Sequence, residues 1–132
     1  MTLEKYLKDC RFDKYLKKLV KNLTGKSVIV YGTGLLFDTI TDKYDLSELN
    51  IIGISDIRYY SEEEGNLDYG YKIIPRDSLK NYSADVILVG TKEYTTLIKK
   101  LKATTFCDCN VEIIPLVKKN LFVKLKKFFL NK

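Results

Sequence analysis

Histidine is missing from the chain altogether. Its absence removes the commonest general base, the Ser-His-Asp and Cys-His nucleophile arrangements, and most catalytic zinc sites. Any chemistry must rest on Lys, Tyr, Asp, Glu, Ser, Thr or Cys. Cysteine is scarce as well: Cys10, Cys107 and Cys109 are an odd number, and the close pair is spaced Cys-x-Cys, unlike a structural zinc knuckle or a thioredoxin-type redox site. That pair reads as small, semi-buried thiols ahead of a strand, and no metal is expected. Long apolar runs are also wanting. No stretch reaches the roughly 20 apolar residues of a membrane span, and the N-terminal residues Met1 to Asp9 carry charges where a signal peptide is uninterruptedly apolar. A cytoplasmic location is expected, and there is no internal repeat or low-complexity segment.

What remains is a chain of 132 residues, 45% hydrophobic, which has material for one core and not two. A single domain over 1–132 follows, with an N-terminal helical segment at 1–24, a core at 26–115 and a basic C-terminal helix at 116–132. The net charge of +6 is unevenly spread. Residues 1–21 hold seven Lys/Arg against three Asp/Glu and residues 118–132 hold six Lys and no acid, so the ends carry +4 and +6 and the middle −4. Because the basicity belongs to the flanks, no nucleic-acid partner is expected for the core.

The most informative stretch is Ser27 to Phe37, a buried-type strand (Val28, Ile29, Val30, Tyr31) running into Gly32-Thr33-Gly34 and then a helix whose inner face is Leu36, Phe37, Ile40 and Tyr44. Two glycines let the backbone bend and approach a diphosphate, and the following helix N-terminus offers N–H groups and a favourable dipole. A second buried strand, Ile51 to Ile54, ends at Ser55-Asp56, 22 positions after Gly34. An acid about 20 residues beyond the glycines is spaced to meet a ribose hydroxyl. A nucleotide or nucleotide-sugar ligand follows. Phe37 stands where the third glycine or alanine of the dinucleotide pattern belongs, which argues against ordinary tight NAD binding.

Further on, Ile57 to Gly70 reads as a polar, mobile loop, Tyr71 to Ile74 as a short strand closed by Pro75, and Asp77 or Ser78 as the start of a brief helix carrying Leu79. Asp85 to Gly90 is a third buried strand, followed by Thr91-Lys92 and a helix with Tyr94, Leu97, Ile98 and Leu101 on one side; Val111 to Ile114 is a last strand. Strands alternating with helices predict a three-layer α/β domain with a mostly parallel sheet of about five strands. Its ligand site belongs at the carboxyl ends of the strands. The expected contacts are Gly32, Thr33, Gly34, Leu35, Ser55, Asp56, Arg58, Thr91 and Lys92, with Arg58 and Tyr59 over a base; Tyr31 reads as core. Thr91 as a plain helix cap and Lys92 in solvent stand as the alternative. The N-terminal segment predicts two helical pieces broken near Asp13, which would cap the second, and a stop at Thr24-Gly25. The basic, aromatic-bearing C-terminal helix (Val117, Leu121, Phe122, Leu125, Phe128, Phe129) suits docking on the domain, homodimer packing through the terminal helices, or peripheral contact with anionic lipid.

Val28 to Gly34, Ile51 to Asp56, Gly70 to Pro75 and Asp85 to Thr91 together resemble the Rossmann-type N-terminal domain of bacterial nucleotide-sugar epimerase/dehydratases, and equally the sugar-nucleotide-binding domain of sialic-acid-pathway acetyltransferases. The resemblance covers about 26–115 and implies diphosphate and ribose contacts from Gly32, Thr33, Gly34 and Asp56, with NAD(P) or a UDP-sugar as ligand and a place in surface-polysaccharide biosynthesis. It supplies no catalytic residue: the Tyr-x-x-x-Lys pair of extended epimerases fails at Tyr94, where Ile98 takes the lysine position and Lys99 follows one too late. The expectation is a binding module without complete catalytic machinery. The alternatives are a ligand-free scaffold with a Rossmann core and a small NAD-dependent oxidoreductase.

Overall fold

Val28, Val30, Val86 and Leu88 are fully buried on one side of a sheet, while Ile29, Tyr31, Ile87 and Val89 are buried on the other. Successive strand residues point to opposite faces, so two strands apolar at every position need cover on both. Each fully buried aliphatic side chain of this kind contributes on the order of 1.5–3 kcal/mol. The computed structural model describes residues 2–130, with side chains as far as Lys126.

In chain order the elements are α1 (Leu3–Asp9), α2 (Phe12–Asn22), β1 (Ser27–Tyr31), α3 (Leu35–Lys43), β2 (Asn50–Ser55), β3 (Leu67–Asp68), β4 (Tyr71–Lys72), β5 (Val86–Val89), α4 (Tyr94–Ala103), β6 (Glu112–Pro115) and α5 (Leu121–Leu130). Short 3-10 helices lie at Ser61–Glu63 and Arg76–Asn81. The main sheet is parallel in the order β2-β1-β5-β6, and a bridge from Ile73 to Ile54 continues it beyond β2. The sheet is therefore four strands with one bridge in the fifth place. β3 and β4 form a separate antiparallel ribbon, where the sequence reads as mobile loop. The buried residues of α1, α2 and α3 join the cluster on the Val28 face, and Leu79 and Leu101 join the one on the Ile29 face. This is the three-layer α/β architecture the alternation predicts, with Rossmann-like strand order.

Several local features differ from their sequence reading. The first two helices break at Arg11, whose φ of 53° is left-handed, and Asp13 lies inside the first turn of α2 instead of capping it. Leu116 and Val117 are buried in the core at a bend just after β6; α5 begins only at Leu121 because the Asn120 carboxamide accepts the Val123 N–H at 2.9 Å, an N-cap. The Asn120 Nδ2 also donates to Asp9 O (2.9 Å), Lys126 pairs with Asp9 (3.4 Å), and the Tyr15 hydroxyl donates to Pro115 O (2.7 Å), so the two basic ends of the chain meet. Phe128 and Phe129 lie outside the described side chains. Cys107 and Cys109 are exposed, not semi-buried.

Between β1 and β5 the chain leaves the sheet in opposite directions, and there Gly32 and Gly90 meet. Gly32 has φ +101°, and a Cβ on it would lie 2.8 Å from Thr91 Cγ2; a Cβ on Gly90 would overlap the Gly32 carbonyl oxygen. Gly34, by contrast, has nothing among the described residues within 4 Å of where a Cβ would sit. Gly90→Ala should accordingly lower unfolding free energy by about 1–3 kcal/mol, and Gly34→Ala should change it by no more than about 0.5 kcal/mol. Urea titrations of the two variants beside the unmodified protein measure both; equal stabilities would refute the contact.

Candidate functional site

Where β1 ends, Gly32 N–H donates to Ser55 O at 2.9 Å, and the next amide, Thr33 N–H, donates to Asp56 Oδ2 at 2.6 Å. The other Asp56 oxygen accepts the Arg58 N–H at 3.2 Å. A charge-assisted bond of this length is among the stronger ones a backbone makes. The amide expected to meet a phosphate is thus held by the protein's own carboxylate.

A polar cluster closes over this turn. Thr33 is buried, with its hydroxyl 3.2 Å from Asp56 Oδ2 and from the Tyr59 hydroxyl. Tyr59 is buried too, and its hydroxyl donates to Asp68 Oδ2 at 2.8 Å. The Arg58 guanidinium stands 4.4 Å from the Tyr59 ring centroid, 3.0 Å from Thr33 Oγ1 and 3.2 Å from Asp68 Oδ2. The Arg58–Asp68 pair is half-exposed and worth little by itself; its consequence is to position Tyr59. Burial, above all, pushes the Tyr59 phenol up to about 12.

Beside the turn, on the Ile29 face of the sheet, lies a cleft of about 570 Å³. Tyr31, Gly32, Asp56, Ile57 and Thr91 come to it from the strand ends, Arg76, Asp77 and Lys80 from the 3-10 turn, and Leu97, Lys100, Leu101, Thr104 and Thr105 from α4 and just beyond. Of the residues expected from the sequence, Gly32, Asp56 and Thr91 meet here. Tyr31 is both core and cleft wall. Thr33 and Arg58 belong to the polar cluster, and Ser55 is fully buried with no hydrogen-bond partner for its hydroxyl among the described residues. Gly34 and Leu35 are exposed at the start of α3, outside the cleft lining. Lys92 lies elsewhere, 4.6 Å over the Tyr6 ring.

Sequence reasoning missed Arg76, Asp77, Lys80 and Lys100. Arg76 and Asp77 carried a usable signal: they follow Pro75, just past the segment that bridges to β2, so the strand-end rule applied to Asp56 and Thr91 extends to them. Lys100 had none, because helical spacing does not say which flank of α4 faces a cleft.

The strand order and the switch-point cleft define a Rossmann-like α/β protein. The chain belongs to the C2185-like N-terminal family, whose model matches residues 24–111. No curated protein matches it. Among solved structures it is similar to RSP, a Rex-family repressor, with a TM-score of 0.51 at 15% identity over 90% of this chain and 65% of that one. The complex of RSP with β-NADH gives 0.50 at 14% identity, over 90% and 66%. RSP with β-NAD+ and operator DNA gives 0.48 at 15% identity, over 90% and 62%. The chain spans just under two thirds of the length of each.

Two expectations are corrected by these findings. The likeness to nucleotide-sugar epimerase/dehydratases and sialic-acid-pathway acetyltransferases gives way to the C2185-like family and to a fold similar to that of RSP, because strand, glycine turn and strand-end acid are shared by Rossmann-like domains generally and carry no pathway. The exclusion of nucleic acid does not stand either: RSP, whose fold this chain resembles at a TM-score of 0.51, is a Rex-family repressor. The exclusion separated basic flanks from the core by sequence position, but the flanks are joined in space, with Arg11, Lys14, Lys18, Lys118 and Lys119 lining one hollow. Among the described residues no helix is long and apolar enough to cross a membrane.

Because the Tyr59 pKa is raised above its unfolded value near 10, the stability it contributes is complete below pH 10 and is lost as pH climbs through about 12. In a spectrophotometric phenol titration, Tyr59→Phe should remove one late-ionising phenol. Loss of an early one instead would show that the cluster is open.

Proposed function

We propose that this chain is a nucleotide-binding module whose ligand lies in the cleft at the carboxyl ends of β1, β2 and β5. The observation that carries the reading is the cleft's place: it sits at the point where strand order reverses, beside the Gly32 turn, where open α/β sheets bind ligands. Its make-up fits a nucleotide, with an apolar floor from Tyr31, Leu97 and Leu101, hydroxyls from Thr91, Thr104 and Thr105, and cations from Arg76, Lys80 and Lys100. The NADH complex of RSP, a protein of the same fold, is consistent with an adenine nucleotide as the first ligand to try. Within the cleft, Gly32, Asp56 and Thr91 are the expected contacts that remain in reach.

A second reading is favoured by one specific contact. The Thr33 amide is already satisfied by Asp56 at 2.6 Å, as in a Rossmann core kept for its shape, with the turn sealed and no ligand bound. Thermal denaturation with NADH, NAD+, ADP and ATP at millimolar concentration separates the two. Binding to the folded state alone stabilises by RT ln(1 + [L]/Kd), about 2.7 kcal/mol at 100 times Kd, so a ligand of ~10 μM affinity should raise the melting temperature by several degrees. No shift with any of the four would leave the sealed-core reading standing.

A further inference from the structure

Arg76 and Lys80, on the Arg76–Asn81 turn, and Lys100, on α4, line one cleft from two elements. None is paired with a carboxylate among the described residues, whose ion pairs are Lys5–Asp9, Lys8–Glu4, Lys43–Asp42, Arg58–Asp68, Lys119–Glu93 and Lys126–Asp9. Arg76 shares the cleft lining with the Tyr31 phenol. Two acids share the lining, Asp56 and Asp77, but both oxygens of Asp56 are occupied, by the Thr33 and Arg58 amides. Unpaired cations converging on a cleft repel one another and favour an anion between them.

The glycine turn offers the opposite setting. Its first two amides donate to Ser55 O and to Asp56, and a phosphate brought to Thr33 would meet the Asp56 carboxylate. Gly34 and Leu35, which open α3, do not line the cleft, so the free N–H groups of that helix start lie outside it. Ile57, in the same lining, is 69% exposed and adds apolar surface to it.

We propose that the phosphate seat of this cleft is the wall formed by Arg76, Lys80 and Lys100, not the Gly32–Gly34 turn. The ligand is a nucleotide carrying a diphosphate, its phosphates lying between the 3-10 turn and α4. This rests on the nucleotide reading above and moves the phosphates away from the glycine motif. Arginine supplies a planar fork for two phosphate oxygens, and the two lysines supply mobile point charges on either side.

Titration calorimetry with ADP and NADH on the purified chain tests it, using Lys80→Gln/Lys100→Gln against Lys99→Gln/Lys102→Gln, an equal charge change on residues outside the cleft lining. All four lysines are exposed, so both variants should melt with the unmodified protein. The cleft variant should lose roughly tenfold or more in affinity for both probes, the scale of one charge-assisted hydrogen bond, and its affinity should fall less steeply with salt. Arg76→Gln should lose affinity likewise. A cleft variant that binds within twofold of the unmodified protein, or loses no more than the control, overturns the wall and returns the phosphates to the turn. Failure of the unmodified protein to bind either probe is a different result: it defeats the nucleotide reading, and the wall with it.

Discussion

Gly32 and Gly90 meet backbone to backbone where β1 and β5 leave the sheet, and that contact fixes what can stand at its carboxyl edge. Neither position has room for a Cβ, so the two strands end close together and the loops after them must part at once. Thr91 is thereby pressed against Gly32, and the space that remains opens on the Ile29 face, between the 3-10 turn and α4. At the opposite edge, Ser27 and Asp85 exchange hydrogen bonds of 2.9 to 3.2 Å, so the β1–β5 pair is pinned at both ends and its register is not free to slip. The cleft's position is a consequence of these two pins.

The second constraint is the Asp56 carboxylate on the Thr33 amide. Spacing from the glycines locates Asp56 at the end of β2, and that location is correct. Spacing says nothing of direction, however: a carboxylate at this point can face a ribose or fold back onto the turn, and here it caps the turn. An unpaired buried amide costs about 1–3 kcal/mol, so in the absence of ligand the inward arrangement is the favoured one. A ligand that needed this amide would have to displace Asp56 first, whereas one held by side-chain cations would not.

The legible parts of this sequence were those governed by period. Four buried residues in β1 and four in β5 announce themselves as continuous apolar runs, and the glycine turn announces itself by composition. The break between α1 and α2 was legible only as a slip of phase, because its cause, a left-handed Arg11, has no residue-type signature. The start of α5 was set by Asn120, which satisfies both Val123 N–H and Asp9 O; the second partner is over 100 residues away and invisible to any local window. The cations of the cleft escaped for the same reason, since three residues on two elements became neighbours only when the sheet closed.

Phe37 illustrates how a departure from pattern is absorbed. A bulky residue at this place in α3 is expected to push the helix off the strand. The ring is fully buried and meets the Tyr69 ring edge to face, with centroids 5.1 Å apart, so its volume is taken up by the β3–β4 ribbon, where Tyr69 adopts φ 53°. The same ribbon supplies Asp68, which holds Tyr59 and Arg58 over Thr33. One two-stranded element therefore serves both the helix that follows the glycine turn and the polar cluster that seals it. Phe37 and the sealed turn are two parts of one arrangement: the aromatic anchors the ribbon, and the ribbon carries the carboxylate that closes the cluster. A segment whose composition reads as solvated loop is, through Tyr69 and Asp68, part of what fixes the shape of the turn.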